Sequence, residues 1–310
     1  MFIFVELRGV LHRKSISSME VKSKKFSKLF QFIKSYRVYW LSLLMCFLIL
    51  AVTPFLRAGE EPFVNYTIKT ESIKLLSHEQ ILQVKDHFVK PNLYTNLSGL
   101  DKLPVRKAKA KFVAAVLPSI LVAKYEIEQR KRKIEWMRNR QAWIPGDSAF
   151  YDDMKNRYRA KDIDDLLVRM GTLPTSVVLA QAAVESGWGK SRFFLTANNL
   201  FGVWSYNASE PRVPALKTRN SKRIYLRSYT DMSESIVHYF EILARSRSYK
   251  SLREARQKTN NPFELLPHLK NFSERRSLYT NQLKKVIIRN NFTQFDSYAI
   301  DPTYVQEADE

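Results

Sequence analysis

Glycine is rationed in this chain. There are eight in 310 residues, and four of them fall between Gly171 and Gly202; the usual share is ~7%. A chain that concentrates so scarce a residue in one stretch marks backbone that other residues cannot easily build. The stretch reads LPTSVVLAQAAVESGWGKSRFFLTANNLFG from Leu173 to Gly202. Pro174 suits the first turn of a helix, with Thr172 ahead of it as a cap. Val177 to Val184 is apolar nearly all round apart from Gln181, which predicts a buried helix rather than a surface one. It stops at Glu185-Ser186-Gly187, where Gly187 can take the left-handed conformation that closes a helix.

That ending sets a carboxylate at the negative pole of a buried helix. Desolvation and the helix dipole both disfavour its charge. Both raise its pKa, which is what a general acid needs near neutral pH. Gln181, one turn earlier, lies on the same face and is expected to present its amide to the same cleft.

The run Ala180-Gln181-Ala182-Ala183-Val184-Glu185-Ser186-Gly187-Trp188-Gly189, followed by Ser191-Arg192-Phe193 and Asn198-Asn199-Leu200-Phe201-Gly202-Val203-Trp204, resembles the bacterial glucosaminidase family of flagellar peptidoglycan hydrolases and autolysins. Tyr225 to Asp231, Ser273-Glu274-Arg275-Arg276 and Tyr279-Thr280-Asn281-Gln282-Leu283 extend the likeness. With Leu117-Pro118-Ser119 upstream, the chain looks most like the Bax-like branch. The resemblance covers about 162–291.

It implies an α+β, mostly helical, lysozyme-like catalytic domain with a small β-lobe, acting on the β-1,4 bond after N-acetylglucosamine in peptidoglycan strands. It also implies that Glu185 is the catalytic acid and Tyr279 an active-site tyrosine. Asn199, Phe201 and Trp204 would line the glycan groove, with Tyr206 closing the same segment. Aromatic faces cover the apolar faces of sugar rings, although Phe201 can equally serve the core and Trp188 reads as core. Glycoside hydrolysis usually needs a second carboxylate. Between Ser186 and Thr230 the only acid is Glu210, against eight bases. The substrate's own acetamido oxygen is the alternative nucleophile. A lytic transglycosylase or muramidase on the same fold, or a non-catalytic wall-binding scaffold, are the other readings these residues leave open.

The remaining sequence supplies context. Nine Lys or Arg against Glu6 and Glu20 give the first 39 residues 9 − 2 = +7 of the chain's +21. Val38 to Leu56 is uncharged and, at ~1.5 Å per helical residue, just spans a ~30 Å hydrocarbon layer. The basic flank orients the amino terminus to the cytoplasm and exports the rest. The expected place is the cytoplasmic membrane with the catalytic domain in the periplasm or envelope. Cleavage as a signal peptide is the alternative, although no small-x-small site stands near Pro54 to Gly59.

The expected organisation is a basic leader (1–37), a transmembrane signal-anchor (38–57), a helical extension (58–160), the catalytic domain (161–295) and a loose acidic tail (296–310). Within the extension, Ser77 opens a short amphipathic run to Pro91. Arg106 to Trp143 forms a longer helix interrupted at Pro118, and Pro145-Gly146-Asp147 breaks the pattern. Ile224 to Tyr229 alternates as a strand, and Ser233–Ala244 and Ser277–Ile288 read as helices. At 45% hydrophobic the chain is not disordered. One cysteine excludes an internal disulfide and any all-cysteine metal site. Five histidines without ligand spacing predict no metal, and no cofactor is expected. Nucleic-acid binding would rest on charge alone, without a recognition motif.

Overall fold

Two apolar stretches, 112–127 and 173–184, become the two helices around which the rest packs. The computed structural model describes residues 39, 41–48, 62–219 and 222–308. Helix α1 (Val105–Arg138) runs 34 residues and continues through Pro118. Phe112, Val116, Leu117 and Ile120 on it are fully buried. Its last third is charged and solvated, with Arg130 to Glu126 at 3.2 Å and Lys131 to Glu135 at 3.5 Å spaced one turn apart. Such pairs stabilise by ~0.2–0.5 kcal/mol each. Helices α2 (Pro145–Tyr158) and α3 (Ile163–Arg169) follow. Pro145 opens α2 at its first turn, so the Pro145-Gly146-Asp147 triplet starts a helix instead of breaking one.

Helix α4 (Thr175–Glu185) is the predicted buried helix, with Val177 to Ala183 fully out of solvent. Each of its valines and leucines contributes ~1.5–3 kcal/mol by leaving water. Its start differs from expectation. Pro174 is the N-cap, outside the first turn, and Thr172 does not cap the helix. Asp296 does that work from 120 residues away, accepting from Ser176 N at 2.7 Å and from Ser176 Oγ at 2.8 Å. Lys124 of α1 joins the same end, donating to Thr175 Oγ1 at 3.1 Å.

After α5 (Arg192–Ala197) comes the small β-lobe: β5 (Trp204–Ser205), β6 (Arg212–Arg219) and β7 (Lys222–Arg227), antiparallel in the order β5-β7-β6. These residue numbers follow four earlier strands, β1 (Tyr66–Ile68), β2 (Glu71–Lys74), β3 (Phe88–Val89) and β4 (Asn92–Thr95). Helices α6 (Met232–Arg245), α7 (Lys250–Ala255), α8 (Pro262–Leu265) and α9 (Ser277–Arg289) complete the helical body. Two short strands end the chain, β8 (Ala299–Ile300) and β9 (Val305–Glu307). The α+β, mostly helical class is therefore observed, with small sheets at the margins.

Two expectations are corrected. Residues 58–160 are not a helical extension throughout. They supply β1–β4, only a single 3-10 turn stands at His78–Gln80, and α1 shares one core with 173–300. The residues after 296 are not loose. β9 pairs antiparallel with β1, and β8 pairs parallel with β3, because Ile300 has a buried seat and the backbone of Ala299 and Asp301 bonds His87 and Val89 at 2.9 and 3.0 Å. Phe63–Glu310 accordingly forms one compact unit. Of the membrane segment expected at 38–57, residues 38, 40 and 49–57 lie outside the described residues. Its described part is helical at 41–48 and exposed, and among the described residues no helix is long and apolar enough to cross a membrane.

Candidate active site

The end of α4 is built by a Schellman closure. Gly187 N bonds Val184 O at 3.3 Å and Trp188 N bonds Ala183 O at 2.8 Å, the pattern that terminates a helix through a left-handed residue. Gly187 has φ +59° as predicted, and Gly189 follows at φ +80°. At Gly189 a side chain has no room, since a Cβ would lie 3.0 Å from Phe112 and 3.2 Å from Phe194. The turn is thus clamped on the core immediately after Glu185, which is half-buried.

Behind Glu185 runs a directed chain of hydrogen bonds. Tyr239 Oη donates to Gln181 Oε1 at 2.5 Å. Gln181 Nε2 donates to Tyr279 Oη at 3.0 Å. Because Tyr279 already accepts that hydrogen, its own hydroxyl hydrogen goes to the Glu185 carboxylate. Burial raises the Glu185 carboxyl above the usual glutamate value, while the Tyr279 hydrogen bond and the Arg275 charge pull it back. Burial also raises the Tyr279 phenol, and the Glu185 charge raises it further. Tyr249 faces the same carboxylate and is pushed up to about 12, by burial first and by Glu185 second.

Two expected groove residues are corrected. Gln181 is fully buried, and both ends of its amide are occupied by the tyrosines, so it positions Tyr279 instead of meeting substrate. Asn199 is also buried. Its Nδ2 donates to Val203 O at 3.0 Å and Arg227 O at 2.8 Å, and its Oδ1 accepts from Val203 N at 2.9 Å. An amide that bonds backbone on both sides joins the β-lobe to the helical body and has no donor left for a sugar.

Of the other expected residues, Phe201, Trp204, Tyr206 and Glu210 line one open cleft of about 850 Å³ together with Tyr239, whereas Glu185 and Tyr279 do not line it. Phe201 stacks on Tyr239 with centroids 4.3 Å apart and is nearly buried, so it is floor and core together. Trp204 is 39% and Tyr206 84% exposed, with centroids 6.1 Å apart, and both present faces to solvent. Glu210 also lines the cleft, held by Arg227 Nη1 at 2.9 Å. The cleft floor and the acid are connected. Tyr239 reaches Gln181, and Phe272, another lining residue, stacks on Tyr279 at 5.8 Å with a 9° interplanar angle.

Sequence reasoning missed Tyr239, Tyr249, Phe272 and the role of Arg275. It also missed His238, a cleft residue whose Nε2 accepts from Arg245 at 3.0 Å. A guanidinium only donates, so the imidazole hydrogen sits on Nδ1 and goes to Tyr229 Oη at 2.7 Å. Burial, then Arg227 and Arg245, lower this imidazole to about 3. No three His, Cys, Asp or Glu side chains come together for a metal among the described residues. The arrangement is that of a half-buried carboxyl set behind a sugar-sized cleft, reached through Tyr279 and its stack on the cleft residue Phe272.

Residues 160–309 match the family profile described as mannosyl-glycoprotein endo-beta-N-acetylglucosaminidase. Protein bax of Escherichia coli K12 is 27% identical over 207 residues, covering 61% of this chain and 72% of that protein. Among solved structures, the catalytic domain of the autolysin Auto from Listeria monocytogenes aligns with a TM-score of 0.34 at 21% identity, over 53% of this chain and 96% of that one. The glycoside hydrolase domain of FlgJ from Salmonella typhimurium aligns at 0.33 and 22% identity, over 46% and 91%. On the profile match, residues 160–309 form a domain of the glucosaminidase family, and the chain is a glycoside hydrolase.

Proposed function

We propose that the chain hydrolyses the β-1,4 bond after N-acetylglucosamine in peptidoglycan as an endo-β-N-acetylglucosaminidase, with Glu185 as general acid. The observation that carries this is the Glu185 carboxyl itself. Burial at the end of α4 raises its pKa and so favours the protonated form, and Tyr279 and Arg275 stand ready to stabilise the carboxylate left after proton transfer. The proton goes to the leaving glycosidic oxygen as the bond breaks. Trp204 and Tyr206 cover sugar faces along the cleft. Glu210, fixed by Arg227, is the second carboxylate, and it is dispensable if the substrate's acetamido oxygen attacks instead.

Digestion of purified sacculi followed by mass spectrometry tests the reaction. N-acetylglucosamine reducing ends are expected; muramic or anhydromuramic ends would overturn it. Glu185→Gln should lower the rate at least ~100-fold, the usual contribution of a general acid. Equal sugar release by wild type and variant would instead indicate a wall-binding scaffold.

The lysozyme-like class and the location belong to the same reading. Residues 38–57 anchor the chain in the cytoplasmic membrane behind the basic leader, leaving the catalytic domain in the envelope. Carbonate-resistant membrane association that disappears on deletion of 38–57 supports this. A soluble product shortened at its amino terminus would point to signal cleavage.

A further inference from the structure

A second cavity, of about 600 Å³, shares no lining residue with the cleft. It lies between the first turns of α1, the carboxy-terminal end of α9 and Trp188. Five of its lining residues are cations: Arg106, Lys107, Lys109, Lys111 and Arg289. Among the described residues, no acidic side chain lines it. Among the described residues, none of the five makes an ion pair.

Two of the ammonium groups are held in place by neutral partners. Lys109 Nζ stands 4.4 Å above the Trp188 ring and 3.4 Å from Asn290 Oδ1. Lys111 Nζ donates to Ile81 O at 2.8 Å and to Glu79 O at 3.4 Å. The arrangement works against folding. Four of the cations lie within the first seven residues of α1, and its first turn holds no acid. Positive charge there opposes the helix dipole, and the cations also repel one another. Local rules are broken in this way where a site is being built.

We propose that this cavity binds a phosphate-bearing anion. Five cations around one space, without an ion pair among the described residues, suit a group with several negative oxygens close together. Guanidinium forks match phosphate bidentately and lysines meet it as point charges. A neutral sugar would need no cation, and a single carboxylate would satisfy only one of the five. The volume lies within the ~300–1,000 Å³ of small-ligand sites. Trp188 follows Glu185 by three residues in the clamped turn, so an occupant that draws Lys109 off the indole is reported next to the acid.

The test uses the full chain. Calorimetry with sodium pyrophosphate addresses a soluble phosphate, and flotation on phosphatidylglycerol-containing against pure phosphatidylcholine vesicles addresses a lipid headgroup. The comparison protein is the triple variant Lys107→Gln, Lys109→Gln, Arg289→Gln, which keeps the basic leader. Binding on either arm should weaken at least about tenfold in the variant. Sacculus digestion, which does not use these residues, should stay unchanged and shows that the variant folds. A tryptophan fluorescence change on binding should vanish in Trp188→Phe while calorimetric affinity persists. Pyrophosphate binding without vesicle binding identifies a soluble ligand, and the reverse identifies a headgroup. Equal affinity of wild type and variant on both arms, no binding on either, or equal affinity for acetate and pyrophosphate overturns the proposal.

Discussion

Tyr279→Phe isolates the hydrogen bond on which the acid reading depends. The phenyl ring keeps its stack on Phe272 at 5.8 Å, so only one oxygen is lost. That oxygen donates to Glu185 and accepts from Gln181 Nε2 at 3.0 Å. Hydrogen bonds to a charged group are worth ~1.5–3 kcal/mol net, and water reaching the half-buried carboxylate replaces part of this. A residual of ~1.4 kcal/mol is about one pKa unit. The lost bond stabilised the carboxylate, so the Glu185 pKa moves further up.

The sign for activity follows directly. In the proposed reaction the working form is protonated and is lost as pH rises through the Glu185 pKa, so the alkaline limb of the pH–rate profile should shift up by about one unit. The maximal rate should fall about tenfold, because the carboxylate formed in the reaction loses ~1.4 kcal/mol of support. Stability changes too. The buried Gln181 amide is left with an unpartnered hydrogen, costing ~2 kcal/mol, or about 4–8 °C in melting temperature for a domain of this size. Reducing-end release from sacculi across pH, with a thermal melt beside it, measures all three. A limb that stays put or moves down, with the melt lowered as expected, would show that Tyr279 is structural and does not bond the Glu185 carboxylate.

Three further substitutions probe the corrected readings. Asn199→Ala breaks three bonds between lobe and body and should cost about 3 kcal/mol, seen as a lower melt and early proteolysis within 204–227; a raised KM at unchanged stability would restore Asn199 to the groove. Gly189→Ala must hold φ +80° with its Cβ 3.0 Å from Phe112, and should cost about 3 kcal/mol. Gly187→Ala, at φ +59° with open space around it, should cost only about 1 kcal/mol; equal melts for the two would discount the clamp. Asp296→Ala removes both bonds that cap α4 and should lower stability by about 1–2 kcal/mol with activity retained at permissive temperature. An unchanged melt would discount the remote cap.

Much of the catalytic end was legible because its signals are local. A buried helix between Pro174 and Gly187 follows from apolar residues on every face and a glycine that must turn left-handed, and Glu185 stands at its end by chain order alone. The same holds for β7, whose alternation is in the sequence, and for the amphipathic α6 and α9.

What tertiary structure decided was the partner of each polar group. Gln181 and Asn199 have the residue type of sugar ligands, and nothing nearby in sequence says that Tyr239 and Tyr279, 58 and 98 residues on, or the backbone of Arg227, would consume their amides first. Asp296 looked like the start of a tail and is the cap of α4. The strands at 66–68 and 88–89 are two or three residues long and find their partners at 305–307 and 299–300, too short for any periodicity to announce them. Backbone preference acts between neighbours along the chain, so sequence alone determined where Glu185 stands. Hydrogen bonding and desolvation act between neighbours in space, so only the folded chain decided what holds the Glu185 carboxyl, what raises its pKa, and which side chains are left open to the cleft.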